Sequence, residues 1–436
     1  MYLPFGLNLT GDKENGFEQT KPKIILITVR LDPFSKNFQG NFYHPVLDHN
    51  EVLSETLLVK VLSLSLWLLI LRLLEISSWG QNYLRGKYRE WIEDNDRVEV
   101  RSWYAETEVE LEQGWSLDFL GTIDAWSGAT PYGLPPSSAI AVNDWLQIVP
   151  EEIRKAGLFT IKKETQNHDF SFEYGISDEP DYLSRSYAVQ YSYKLAAETL
   201  IVTSGFSLQD DSVKDFTGSF VEKKTPSLSA GLTRILDKFT SMSFNFTYSW
   251  PTGYLSDPYK NTPHEIFGSI GLAPENRPDK REIFIFYLEL SRYLDSLKIG
   301  THLNYRYFQD DHRLSGHTIE IEANKRLGEK WILSPRYRFY TQNQTSFYSP
   351  KIRTYAFFDT YMLSPDSSEG PFYSADHRLS SFDSHGLGLK LSFLMEDNLT
   401  LDAGYDRYLT IGNDGVTDAR VYPDANVFTI GLQWEL

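Results

Sequence analysis

The chain has 436 residues, a formal charge of −17 and no cysteine. That length suits two or three ordinary domains or one large barrel, and the acidity argues against a nucleic-acid partner, which would need clustered Lys and Arg. The missing thiols exclude disulfide frameworks, thiolate metal sites, cysteine nucleophiles and a lipid-modified N-terminal cysteine. Phe, Tyr and Trp make up 15% of residues while mean hydropathy is negative. Helical membrane spans are therefore few, and two classes fit: a transmembrane barrel with aromatic girdles and a hydrophilic lumen, or a carbohydrate-binding β-protein.

Residues 59–80, VKVLSLSLWLLILRLLEISSWG, place a basic residue before an apolar run, with Ser78 and Gly80 as small residues at its end. That order is the grammar of a secretory signal, with cleavage expected after Gly80. A membrane anchor is the alternative, although the run is short and Arg72 interrupts it. Residues 57–80 thus read as a signal peptide. Residues 1–56 read as a non-native or disordered extension, with translation starting near Leu57, Leu58 or Val59. Residues 81–436 are then the mature domain.

From residue 83 the chain alternates with period two, the mark of strands whose faces meet different surroundings. Strands are expected at 83–92, 97–111, 115–126, 156–166, 169–177, 186–195, 198–208, 226–236, 239–250, 281–294, 297–308, 316–327, 330–343, 385–394, 398–410 and 427–436. The first and fourth are the weakest, so fourteen remains an alternative to sixteen. In SMSFNFTYSW (241–250) the contrast is almost complete: Met242, Phe244, Phe246, Tyr248 and Trp250 on one face, hydroxyls and Asn245 on the other. Very short turns (LEQGW, LAAET, LDKF, LDSL, LGEKW, MEDN) join strands at one end, and long polar connections join them at the other. Bacterial outer-membrane barrels sort their loops in this way, with short periplasmic turns and long extracellular loops. The fold class expected is all-β, a closed antiparallel transmembrane β-barrel. The final VFTIGLQWEL is an amphipathic strand of the kind read by the barrel assembly machinery, although Leu436 stands where Phe is usual.

The loop sequences NDRVEV (95–100), DAWSGATP (124–131), SDEPDY (177–182), GYLSDPYK (253–260), NYRYFQDDHRLSGHT (304–318) and RYRFYTQNQTSFYSP (336–350) resemble those of the bacterial family labelled domain of unknown function 3570, regarded as outer-membrane barrels. The match covers roughly residues 85–436. The resemblance implies the barrel and an outer-membrane location, and brings neither an activity nor catalytic residues. It also implies genomic neighbours, a small lipoprotein and a periplasmic flavin transferase.

Following the alternation, Glu106, Glu108, Glu110, Asp118 and Asp124 point inward from the second and third strands. Lys298, His302, Arg306, Arg336 and Arg338 point inward from the eleventh and thirteenth, with Glu320 and Glu322 between them. In a ring of sixteen these groups would face one another across the lumen, acid against base, as a transverse field. The plainer reading is lateral pairing between neighbouring strands, which suits Glu320 and Glu322 beside Arg336 and Arg338. Of the long stretches 127–155, 251–280 and 344–384, at least one is expected to fold inward. SGATPYGLPPSS suits a tight inward turn and RTYAFFDTYML an extra hairpin arm.

Enzyme signatures are thin. Asp310, Asp311 and His312 with His317 read as a solvated turn rather than a metal site, and NDGVTD lacks the later acids of a calcium loop. Acidic loops could hold Ca²⁺ or Mg²⁺ weakly against lipopolysaccharide phosphates. The function expected is a porin-like channel for small polar solutes in the outer membrane, without cofactor. A non-conducting scaffold for a periplasmic or surface lipoprotein or redox partner is the alternative. Mass spectrometry of the intact precursor tests the expected start: no peptide from residues 1–50 should be found in cells.

Overall fold

In a computed structural model, described here for residues 82–94, 97–131, 146–266, 269–350, 352–357, 360–365, 371–396 and 398–436, sixteen strands close into one antiparallel ring. The expected extension and signal lie outside these residues. In chain order the strands are β1 (Tyr83–Glu93), β2 (Val98–Leu111), β3 (Trp115–Pro131), β4 (Leu146–Glu164), β5 (His168–Glu179), β6 (Tyr182–Leu195), β7 (Leu200–Lys214) and β8 (Phe220–Asp237). They continue as β9 (Thr240–Ser249), β10 (Ile283–Leu294), β11 (Ile299–Asp310), β12 (Ser315–Leu327), β13 (Trp331–Gln342), β14 (Phe382–Glu396), β15 (Leu399–Gly412) and β16 (Ala425–Glu435). Each pairs with its chain neighbour, and β1 pairs with β16 from Tyr83↔Glu435 to Glu93↔Ala425. This seam removes the two edges that an open sheet would expose.

Alternation along every strand sorts the side chains. Outward positions carry Trp103, Phe170, Phe244, Leu387 and Ile430, with exposures up to 64% for Ile430. Inward positions on the same strands carry Ser102, Asp169, Ser243, Lys390 and Thr429. The segment 241–250 behaves as its pattern requires: Met242 and Phe244 are exposed, whereas Ser243, Thr247 and Ser249 are buried. Cross-strand aromatic pairs build the outer surface, among them Phe246–Phe286 at 5.0 Å and Tyr248–Phe284 at 4.9 Å.

At one end of the ring, the turn end, connections stay within a few residues. Gln113 (φ 62°) and Gly114 (φ 76°) make the β2–β3 turn, where a Cβ on Gly114 would stand 2.4 Å from the Glu164 carbonyl oxygen. The other end, the loop end, differs from expectation. Connections 94–97, 180–181, 215–219 and 311–314 are short there as well, and it is the strands that lengthen. β4 begins at Leu146 rather than 156, β6 at Tyr182 rather than 186 and β8 at Phe220 rather than 226, while β7 runs to Lys214 rather than 208. Polar contacts hold these extensions, as in Lys223–Asp211 at 3.2 Å with the Asp211 side chain fully buried. Residues 127–131 of the expected inward turn belong to β3, and 132–138 lie outside the described residues.

Two hairpins from the longest loops, Asn261–Ile266 with Ser269–Pro274 and Ile352–Phe357 with Thr360–Pro365, form a separate four-stranded sheet. The parallel pairs His264↔Ile352 and Glu265↔Arg353 join them. The expected arm around RTYAFFDTYML is thus a hairpin, docked on another loop. An apolar cluster of Ile283, Phe308, Leu314, Phe347, Tyr348 and Leu379 fastens the loop after β13 to the ends of β10 and β11.

Closure has a direct chemical test, because the native chain has no thiol. Tyr88 and Ile430 are direct partners across the seam, within the separation a disulfide spans. The double variant Tyr88→Cys, Ile430→Cys should oxidise to a species whose denatured gel mobility shifts and reverts with reductant, whereas either single variant should not.

Candidate functional site: the barrel wall and its cap

Strand register brings most of the expected inward residues to the lumen face and shows what each one meets. Glu106 accepts from Tyr83 Oη at 2.9 Å and pairs with Arg85 at 3.1 Å. Lys162 of β4 serves both Asp118 (2.5 Å) and Glu108 (3.5 Å). Asp124 lies directly opposite Arg154 and accepts from its Nε at 2.8 Å. Glu110 is exposed at the turn end, where its backbone N–H donates to Asn82. His302 Nδ1 lies 2.9 Å from Ser291 Oγ, which donates to Glu289 at 3.2 Å. Arg306 stands over the Phe308 ring and Arg338 over the Tyr340 ring.

Two expectations need correction. Lys298 is not on the wall: it sits in the β10–β11 turn at φ 53°, exposed and bonded to Asp295 at 2.7 Å. The strand starts at Ile299 because Asp295–Lys298 is used up in reversing the chain. The second correction concerns the transverse field. Four of the five acids of β2 and β3 meet a cation one or two strands away, Glu106 with Arg85, Asp124 with Arg154, and Glu108 and Asp118 sharing Lys162, so much of their charge is met along the wall rather than across the lumen.

The register sets Glu320 opposite Arg338 and Glu322 opposite Arg336. Arg336, however, reaches the other way to Asp406 of β15 at 2.5 Å. The strand between them contributes Gly388, partner of both. A Cβ there would stand 2.1 Å from Asp406 Oδ1 and 3.3 Å from Arg336 Nε, so the missing side chain is what lets the pair form. Sequence reading missed Arg85, Arg154, Lys162 and Asp406. Arg85, Lys162 and Asp406 lie at the inward phase of their expected strands, where carrying the register across each hairpin would have found them, whereas Arg154 lies in the part of β4 before residue 156 that the pattern did not reveal.

Above the wall, the loop between β9 and β10 and the loop between β13 and β14 meet in a buried charged cluster. Arg277 donates to Asp376 at 2.8 Å and pairs with Glu275 at 2.7 Å. Arg378 binds Asp376 through Nε at 2.7 and 2.9 Å and reaches Asp257 with Nη2. Glu275 also accepts from the Asp257 backbone N–H and from Ser374. Three acids thus meet three bases, Lys260 being the third and 4% exposed. The first loop is rooted on β9, yet Tyr259 Oη donates to Asp181 beside β6, and Lys260 lies within Coulombic reach of Glu93 on β1. In this ring β1 stands opposite β9. The loop therefore crosses the mouth.

A family model described as "Protein of unknown function (DUF3570)" matches residues 74–224 and 217–435. The chain belongs to this family. Curated proteins give no match. Among solved structures, the DUF3570 barrel is similar to a bacterial polysaccharide outer membrane secretin (9% identity, 81% of this chain and 98% of that one, TM-score 0.44). It is also similar to OpdO of Pseudomonas aeruginosa (11% identity, 82% and 96%, TM-score 0.39). A loop-deletion form of OmpT, an outer membrane protein of Vibrio cholerae, matches at 9% identity over 81% and 98%, TM-score 0.38.

Burial dominates the cap of the DUF3570 barrel. It pushes the Glu275 carboxyl up to about 7 against the pull of Arg277, and it lowers the Lys260 ammonium. Asp376 stays well below the carboxylate range despite its burial, because Arg378, Lys260 and Arg277 surround it. Burial also holds His377 well below its usual 6.5, with Lys260, Arg97 and Arg378 pushing the same way and Asp376 opposing them.

For Glu275 the folded value lies above the ordinary 4.5. Its stabilising contribution is complete below that value and lost as pH rises through about 7. His377 is the reverse: its contribution is complete above 6.5 and lost as pH falls through its lower folded value. Limited proteolysis of the cap loops should therefore quicken as pH rises to about 7 and level off above it, and Glu275→Gln should flatten that rise. On the wall, Arg336→Met leaves Asp406 without its partner and should cost roughly 3 kcal/mol in urea unfolding. Adding Asp406→Asn should recover much of that loss.

Proposed function

We propose that this chain is an outer-membrane channel, porin-like, admitting small polar solutes through a lumen narrowed at its outer mouth by the two-loop cap. The observation that carries this reading is the closed ring with an apolar exterior and a polar interior. Hydrocarbon offers no partner to a peptide group, so a sheet within it must close on itself, with apolar side chains outside. The turn end would face the periplasm and the loop end the medium. Lateral pairing of many of the wall charges is compatible with solutes chosen by size and polarity more than by sign.

One observation favours a second reading, a barrel that holds a partner. In the four-stranded loop sheet, Ser269–Pro274 and Thr360–Pro365 are the outer strands among the described residues, and such edges accept an added strand from another chain. A periplasmic or surface lipoprotein is the partner of that scaffold reading. A stoichiometric companion on purification from cells, together with absent conductance, would replace the channel by the scaffold.

Planar-bilayer recording of the purified barrel tests the channel directly. Stepwise ion conductance is expected. Arg378→Ala, which removes the link from the second loop to Asp257, should raise the single-channel conductance or its open fraction.

A further inference from the structure

One quarter of the wall, β6–β9, differs in kind from the rest. On β6, β7, β8 and β9, the inward phase runs from the Lys194–Asp169 pair (2.8 Å) at the turn end to the Lys223–Asp211 pair at the loop end. Between them it places Ser, Thr, Asn, Gln, Gly and Ala, with no ionisable side chain at any of those positions. The hydroxyls pair across the strands: Ser192 with Thr203 at 3.0 Å, Ser227 with Ser249 at 2.8 Å, and Thr233 with Ser243 at 3.0 Å. Neighbours fill the gaps at the inward glycines. A Cβ on Gly205 would stand 2.7 Å from Ser229 Oγ, and one on Gly231 2.5 Å from Asn245 Oδ1. The surface is therefore flush and short-chained.

Across the ring, β14, β15 and β1 carry inward the charged Lys390, Asp402, Asp406, Arg85, Lys87 and Arg89, interspersed with Gly386, Gly388, Gly404 and Gly431 of β14–β16.

We infer that the lumen conducts uncharged, hydroxyl-rich solutes, polyols and sugars, along the inner face of β6–β9. The chemistry follows from the inventory of the wall. A hydroxyl carries one donor and two acceptor sites, so two hydroxyls sharing one hydrogen bond keep one donor and three acceptors between them. Ser192, Ser227, Ser243, Thr247 and Ser249 are buried among their neighbours, and the half-buried Thr203, Ser207, Thr225, Ser229 and Thr233 present acceptors in excess, to which a polyol brings donors while paying little desolvation. An ion on the same path sheds part of its hydration and finds no countercharge there.

The inference rests on the channel reading, and swelling of liposomes containing the purified full-length protein tests it beside conductance of the same preparation. Sorbitol is compared with gluconate and protonated glucosamine, neutral and charged solutes of the same carbon number. Sorbitol should enter at least about fivefold faster than both, the ratio that roughly 1 kcal/mol gives. The variant Thr203→Val, Thr225→Val, Thr233→Val keeps the shape of each side chain and removes three half-buried hydroxyls. It should slow sorbitol at least threefold while ion conductance stays close to that of the unaltered barrel. Conductance without a preference for sorbitol over both ions, or an unchanged rate in the variant, overturns the inference and leaves the channel standing. Slow entry of gluconate alone also overturns it, since net charge would then explain the result. No conductance and no swelling removes the channel and the inference together.

Discussion

The pairing of β1 with β16 is the constraint on which the rest depends. A sheet of sixteen strands left open would present two rows of unpaired N–H and C=O groups, and in hydrocarbon each such group costs several kcal/mol. Eleven consecutive register pairs from Tyr83↔Glu435 to Glu93↔Ala425 satisfy those rows. Once the ring closes, every strand has an inside and an outside, and period two becomes a rule about two solvents. The same pleat that puts Ile430 outside puts Thr429 and Gly431 inside, so the surface and the lumen are written into alternate letters of one segment.

Closure also decides how the interior handles charge. Inward side chains on adjacent strands lie about 5 Å apart, whereas the far wall is several times more distant. Coulomb energy falls with distance and with screening by water, so the nearest opposite charge wins. Arg154 therefore takes Asp124 and Lys162 takes Asp118, whereas Arg336, with Glu322 on the adjacent strand, reaches instead over Gly388 to Asp406, where the missing side chain opens the way. The cap follows the same rule in a drier setting. Asp257, Glu275 and Asp376 are tolerable there because Lys260, Arg277 and Arg378 are buried with them. Removing one member would leave a charge with neither water nor partner.

What could be read from the sequence follows from where the two solvents are. All sixteen strands were legible, because apolar and polar faces contrast most strongly in the middle of each. Their loop-end extensions were not. In β7 the stretch Gln209, Asp210, Asp211, Ser212 is polar on both faces, and period two leaves no trace where water lies on either side. Inward residues were legible by phase, and Lys298 failed because a tight turn absorbs a phase that counting carries straight on. That a long loop would fold inward was expected, but the pairings of the cap were not legible, for another reason. Its contacts join Arg277 to Asp376 and Asp257 to Arg378 across 99 and 121 residues. No local pattern encodes so distant a pair, and only the ring brings the two loops to one mouth.

The arc β6–β9 has a mechanical logic of its own. Long paired side chains brace neighbouring strands against shear, as Arg85 does with Glu106, Lys162 with Asp118 and Arg336 with Asp406. Ser, Thr and Gly do the opposite: they brace weakly and project little. Under the channel proposed above, such an arc would leave clearance where bracing pairs are absent. The segment Ser241–Trp250 then has a double assignment, since its aromatics form the outer surface of that arc while its hydroxyls keep the inner face polar without projecting from it.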